Sequence, residues 1–232
     1  DITVFVISTN EETISQTIKS LEDQDSEFEI VIIENIFPMH AAFQEMPNRC
    51  KTKYFIQVDA DMILKPYAVN FLYLKIKKSP FWLYRVSGSL IEEGFGIGGA
   101  VKCWKTNIFK YFKFKDVRTV DRDFHKRIRR IGLNIKHNKE VIGIHKPRHS
   151  VFSNYLKTKS DIEKWKFLKR NYNLYAKDLL SKIIKLKDEN DAIKLLGYIF
   201  GVLTNYEILN KSKNIYLEKK FYDSYLIHSN KT

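Results

Sequence analysis

The sequence predicts an α/β fold, a mostly parallel sheet with helices on both faces, continued by a basic helical C-terminal region. Three observations point to it. Unbroken apolar runs, ITVFVIS (2–8), EIVIIEN (29–35) and YFIQV (54–58), recur with helix-patterned segments between them. Strands buried on both faces read as such runs, and their alternation with helices marks βαβ units. Each run also gives way abruptly to polar or acidic residues.

Taken in order, the first run leads through TNEE into a helix over 13–21, where Ile14, Ile18 and Leu21 share a face. The second run ends at Glu34. The third enters VDADMILKP, where only Ala60 separates Asp59 from Asp61. Carboxylates at the end of a core strand cost free energy unless something cationic meets them. In open α/β sheets ligands bind at the carboxyl ends of the strands. Thr9, Asn10, Glu11, Glu34, Asp59 and Asp61 therefore fall on one expected binding edge. Two carboxylates so close suit a hard divalent cation, Mn²⁺ or Mg²⁺, which keeps open positions for substrate phosphates.

GFGIGG (94–99) matches a dinucleotide fingerprint only as a string. That motif needs a strand before it and a helix after it. Here two Glu precede the glycines and the strand-like AVKCW follows. Gly98 and Gly99 instead let backbone approach a substrate or make turns.

From about residue 151 the pattern is helical. Ser160 and Glu163 form a capping box, and Ile162, Trp165, Leu168, Tyr172, Tyr175, Leu179 and Ile183 follow at spacings of three and four. LLGYIFGVL (195–203) is apolar all round and too short to span a bilayer, so it reads as a packed core helix.

The net charge of +13 is unevenly spread. Residues 1–100 hold 9 Lys+Arg against 14 Asp+Glu, residues 101–150 hold 15 against 4, and residues 151–232 hold 16 against 9. A basic second half implies an anionic partner or a lysine-rich solvated surface. With two cysteines there is no disulfide framework, which favours a cytoplasmic setting, with peripheral contact at the inner face of a membrane through the basic tail.

VDADMILKP resembles the Asp-x-Asp stretch of glycosyltransferases with the GT-A (Rossmann-like) fold, particularly the large inverting family 2. FVISTNEE is similar to that family's first strand and nucleotide loop, with Thr9-Asn10 in place of Tyr-Asn, and VIIENI to its second strand end. GGAVKCWKTNIF resembles the segment bordering the acceptor site. TVDRDFHKRIRRIG resembles the T-E-D-x-D-L block, with Val120 where the family has Glu, and VIGIH the strand that ends in a metal-contacting His.

The resemblance covers about residues 1–149 and implies a catalytic domain over 1–150. Residues 1–100 would bind the nucleotide-sugar and 101–150 the acceptor, ahead of the helical region 151–232. Thr9, Asn10 and Glu11 would line the nucleoside pocket, Glu34 would bond the base, and Gly98 and Gly99 would border the substrate. Asp59 would contact ribose or metal, Asp61 and His145 would ligate the metal, and Asp121 would be the general base. Asp123 is its rival, though it also reads as a first-turn helix acid. Arg49, Lys51, Lys146 and Arg148 are candidates for phosphate charge. The implied reaction moves a sugar, from a UDP-sugar by preference, to a hydroxyl of a glycan or lipid-linked, possibly anionic acceptor, as in polysaccharide biosynthesis.

Two other classes compete. A haloacid-dehalogenase-like phosphohydrolase also uses Asp-x-Asp after a strand, but on its first strand and with Thr or Val where Ile63 stands. A basic nucleic-acid or anion-binding module would explain the charge, yet no recognition signature for specific nucleic acid is present.

Overall fold

The computed structural model describes residues 2–92, 96–117, 120–146, scattered positions between 155 and 181, and 189–203. The chain divides into two compact units, Asp1–Pro147 and Arg148–Thr232.

The first unit is built on a seven-stranded sheet. Its strands are β1 (Ile2–Ser8), β2 (Glu29–Glu34), β3 (Tyr54–Asp59), β4 (Met62–Leu64), β5 (Leu83–Glu92), β6 (Gly96–Lys105) and β7 (Asn134–His145), in the order β2-β1-β3-β6-β5-β7-β4. The helices are α1 (Ile14–Glu22), α2 (Met39–Arg49), α3 (Ala68–Lys77) and α4 (Val120–Arg129), with a 3-10 helix at Thr106–Lys110.

The sheet is less parallel than the sequence suggests. β2, β1 and β3 are parallel, as are β5 and β7, whereas β3–β6, β5–β6 and β4–β7 are antiparallel. The apolar runs that argue for parallel strands are those of the first three strands. β6 runs back beside β3, and so the glycine-rich 96–99 opens a strand, not a helix. β2 also departs from its buried reading. Among its six residues only Ile33 is buried, because β2 lies at the sheet edge.

Each face of the sheet packs its own core. On one, Val4, Val6, Ile56 and Val58 meet Leu21 of α1 and Leu72 and Ile76 of α3. On the other, Phe5, Phe55 and Trp104 meet Phe43 and Met46 of α2 and Val120, Phe124 and Ile128 of α4. The second core is aromatic. The Phe124 ring lies 4.6 Å from Phe114, 4.9 Å from Phe109 and 5.7 Å from Trp104. Val120, Phe124 and Ile128 recur every four residues, which places α4's apolar stripe on this core.

α1 carries two stripes. Leu21 and the half-buried Ile14 and Ile18 face the core, as the spacing predicts. Thr13, Thr17, Ser20 and Gln24 form a polar stripe that is spent internally. Thr13 and Thr17 each donate to the Ala60 carbonyl at 2.8 Å, Ser20 Oγ accepts from the Leu64 N–H at 3.1 Å, and Gln24 accepts from the Val69 N–H at 2.9 Å. The helix therefore fixes the chain from 60 to 69.

In the second unit, α5 (Glu189–Leu203) contains the expected apolar helix. It packs closely where Gly197 and Gly201 fall. A Cβ on Gly197 would stand 2.5 Å from the Tyr155 carbonyl, and one on Gly201 2.8 Å from Ile162. Leu196, Ile199, Phe200 and Leu203 of the same helix are exposed. Ser160, Trp165, Leu168, Tyr172, Tyr175, Leu179 and Ile183 lie outside the described residues.

Phe124→Ala should empty the centre of the aromatic core and cost about 3–5 kcal/mol. Urea unfolding followed by fluorescence checks this, and a loss well under that range would mean α4 is not anchored by the ring.

Candidate functional site

The site lies at the carboxyl ends of β1, β2 and β3. β3 ends at Asp59 and β4 begins at Met62. β4 nevertheless pairs with β7, at the far edge in strand order. The sheet must curl to bring that edge back over the end of β3. The register then sets Met62 opposite His145, and the Lys146 N–H donates to the Asp61 carbonyl at 2.8 Å.

Two residues far apart in sequence meet as a result. His145 Nε2 lies 3.2 Å from Asp61 Oδ2, and His145 Nδ1 lies 3.5 Å from Glu92 Oε2. The bond to Asp61 holds the His145 pKa up, against the effect of partial burial. Asp61 Oδ1 is buried with no hydrogen-bond partner. A buried carboxylate oxygen without a partner calls for a cation or a donor. Cis ligands on an octahedral ion at ~2.1 Å stand about 3 Å apart, so the spacing of Asp61 and His145 fits a shared divalent ion. Among the described residues no group of three His, Cys, Asp or Glu could hold a metal by itself. The pair therefore suits an ion that takes its remaining ligands from phosphate and water.

Asp59 turns another way. Burial pushes its carboxyl up, the Lys102 ammonium opposes that rise and the Asp61 carboxylate adds to it. Gln57 Nε2 approaches its Oδ1 at 3.5 Å. Lys102 Nζ also pairs with Asp121 Oδ2 at 3.1 Å. Burial raises the Asp121 pKa, but Lys102, Arg85 and the Arg122 N–H outweigh it, and the net direction is down. Asp121 sits in the first turn of α4, as the sequence predicts. Asp123 is held by Arg127 Nε at 2.7 Å, one turn along the same helix, so each acid has its own cation: Lys102 from β6 for Asp121 and Arg127 from α4 for Asp123. Val120, the departure from the family pattern, is buried in the aromatic core, where an acidic side chain could not be accommodated unpaired.

The loop that follows β1 is internally bonded. Glu11 accepts from Ser8 Oγ at 2.9 Å, Thr9 N–H at 2.7 Å and Thr9 Oγ1 at 2.5 Å. Burial pushes the Glu11 carboxyl up, yet these bonds prevail and its pKa is lowered. Glu11 and Thr9 thus shape the loop, while Asn10 and Glu34 remain exposed. Asn10 and Asn35 both have positive φ, at 67° and 54°, and Asn35 Nδ2 donates to Asn10 Oδ1 at 3.2 Å. Gly98 lies in β6. Gly99, at φ 75°, adopts a backbone conformation that other residues rarely take, and a Cβ there would lie in ordinary contact with His145 Nδ1 at 3.5 Å.

Arg49 and Lys51 do not reach this edge. They precede β3 and lie at its opposite end, and Arg49 is held by Glu45 at 2.8 Å. Lys146 directly follows His145, and Arg148 falls outside the described residues. Sequence reasoning missed Thr13, Thr17, Asn35, Glu92 and Lys102. Only Glu92, an acid directly before the glycine run, gave a signal that could have been followed.

No family model matches the chain, and no curated protein matches it by sequence. Solved structures do. A mannosyltransferase, PcManGT from Pyrobaculum calidifontis in complex with GDP-Man and Mn²⁺, superposes with a TM-score of 0.55 at 11% identity, over 94% of this chain and 79% of that one. Glucosyl-3-phosphoglycerate synthase from Mycobacterium tuberculosis, with Mn²⁺, UDP and phosphoglyceric acid, gives 0.52 at 14% identity over 64% and 71%. S. aureus TarS 1–349 gives 0.51 at 12% over 86% and 70%. The first unit has the GT-A fold. At these identities the likeness shows the fold, and the site must be argued from its own geometry.

Lys102→Met should raise the Asp121 pKa, measured by NMR titration of its carboxyl. A depressed carboxylate stabilises the fold above its unfolded pKa and loses that contribution as pH falls. The stability gap between wild type and variant should therefore be largest near neutral pH and close below about pH 4. An unshifted Asp121 titration would show that Lys102 does not set it.

Proposed function

We propose that this protein is a metal-dependent glycosyltransferase. It moves a sugar from a nucleotide-diphosphate donor to a hydroxyl of a glycan or lipid-linked acceptor, with inversion and with a UDP-sugar as the donor to test first. The observation that carries this reading is the Asp61–His145 pair, 3.2 Å apart at the carboxyl edge of β3, beside a buried Asp61 oxygen without a partner. The GT-A fold and neighbours described with Mn²⁺ or Mg²⁺ and UDP or GDP-Man support it. A phosphohydrolase of the dehalogenase type fits less well, because its nucleophile would belong on the first strand and Asp59 ends the third.

In this reading Asp61 and His145 would hold the ion, and Mn²⁺ or Mg²⁺ there would supply positive charge against that developing on the leaving diphosphate. Asp59 contacts the donor. Asn10 and Glu34 meet the nucleoside at the loop that Glu11 and Thr9 shape, and Gly98 and Gly99 leave room for the sugar beside His145. Asp121 accepts the proton of the attacking hydroxyl. Its lowered pKa keeps it ionised at neutral pH, and Lys102 holds it in place until the acceptor arrives. A positioned general base of this kind contributes about 10² to 10⁴ in rate.

Thermal shifts with UDP and GDP, with and without Mn²⁺, test the donor side, since a ligand bound only by the native state raises its stability. Asp61→Ala should abolish the Mn²⁺-dependent shift and His145→Ala should weaken it. A metal-dependent shift that survives Asp61→Ala removes the metal assignment.

Asp121→Asn should lower transfer by about 10²-fold or more while leaving the nucleotide shift near wild type. Asp123→Asn should be mild. The reverse ranking moves the base to Asp123, and two active variants point to retention or to another reaction.

A further inference from the structure

The end of the sheet opposite Asp59 and Asp61 has its own surface chemistry. A cavity of about 660 Å³ opens where β3 begins and β6 ends. Lys51, Lys53, Lys105 and Lys110 line it, and among the described residues no acidic one does. Lys105 is spent on the fold. Its Nζ donates to the Pro80 carbonyl at 2.7 Å and approaches the Ser79 carbonyl at 3.4 Å, tying down the chain that leaves α3. Among the described residues no carboxylate pairs with Lys51, Lys53 or Lys110, and the nearby Glu45 is taken by Arg49. Lys51 and Lys53 belong to a stretch in which acids outnumber bases, 14 to 9 over residues 1–100, and the fold sets them beside Lys105 and Lys110 from the basic stretch that follows.

An aromatic pair stands at the same place. Phe81 lines the cavity and is 82% exposed, and Trp82 is 48% exposed. Their rings meet edge to face at 5.2 Å. The turn that presents them is fixed by Lys105, by the Leu83 N–H donating to the Pro80 carbonyl at 3.1 Å, and by the Asn134 N–H donating to the Trp82 carbonyl at 2.7 Å. Large apolar rings left exposed to water forgo the favourable free energy of burial. Exposed aromatic rings beside unpaired lysines match the boundary of an anionic bilayer. There the rings settle at headgroup depth and each ammonium is drawn to the negative surface.

We propose that this edge docks on an anionic lipid membrane, with Phe81 and Trp82 entering the interface and Lys51, Lys53 and Lys110 receiving headgroup phosphates. Docking does not depend on the transfer reaction, but it narrows that reading. β3 separates the two ends of the sheet by about 17 Å. The metal-site edge then faces the aqueous phase, where an acceptor chain extended from the membrane reaches it and a headgroup itself does not.

The test is sedimentation of the full chain with phosphatidylcholine vesicles, with and without phosphatidylglycerol, at low and high salt. Wild type should bind the anionic vesicles only, and salt should release it. Phe81→Ser/Trp82→Ser and Lys51→Glu/Lys53→Glu/Lys110→Glu should each weaken binding roughly tenfold or more. Both should keep the wild-type melting temperature and the Mn²⁺-dependent nucleotide shift, which separates this surface from the metal site. Binding unchanged in both variants would assign membrane contact to the tail and overturn the proposal. So would no vesicle binding by wild type, including the case where inorganic pyrophosphate still stabilises wild type but not the lysine variant.

Discussion

The peptide group of Ala60 is clamped on both sides, and the site depends on that clamp. Its N–H donates to the Ile7 carbonyl at 3.0 Å, and its carbonyl accepts from both Thr13 and Thr17 at 2.8 Å. A buried carbonyl with two hydroxyl donors is fully satisfied, and leaving such a group unmet costs about 1–3 kcal/mol. The flanking carboxylates inherit this fixed geometry. Asp59 ends the strand before the peptide, and Asp61 follows it toward β4. Because β4 pairs with β7, holding Ala60 also fixes where His145 stands relative to Asp61.

Lys102 ties the two halves of the site together electrostatically. It lies opposite Gln57 across β3 and β6, pairs with Asp121 of α4 and opposes the burial-driven rise at Asp59. One ammonium thus offsets two carboxylates that approach from different elements. Without it, Asp59 would keep its burial and the neighbouring Asp61 carboxylate, both of which favour its protonated form. The aromatic core beneath α4 sets the other coordinate, since Val120 and Phe124 anchor the turn that carries Asp121.

The two ends of the sheet differ in chemistry. Acids and amides collect where β1, β2 and β3 end, and lysines with exposed rings collect where β3 begins. The contrast is invisible in the total charge of +13, because lysines 51 and 53 lie in a stretch whose overall balance is acidic. Strand direction sorts these residues by position along β3, and the sorting gives each edge its own surface chemistry.

By itself the sequence determined the apolar runs of β1 and β3, the core stripe of α1, and the acidic break at Asp59 and Asp61. These are local patterns, and a strand or helix expresses its hydrophobic period wherever it packs. The order of the sequence blocks was also enough to bring Asp121 and His145 into consideration. Tertiary structure decided the rest. β2 looks like a buried strand but lies at an edge, because strand order is set by non-local pairing. The polar stripe Thr13, Thr17, Ser20 and Gln24 looks like a solvated face, yet it holds the chain from 60 to 69. Lys102 is one lysine among many until β6 runs back beside β3. The 3.2 Å approach of His145 to Asp61 exists only because the sheet curls, joining residues 84 positions apart in the chain.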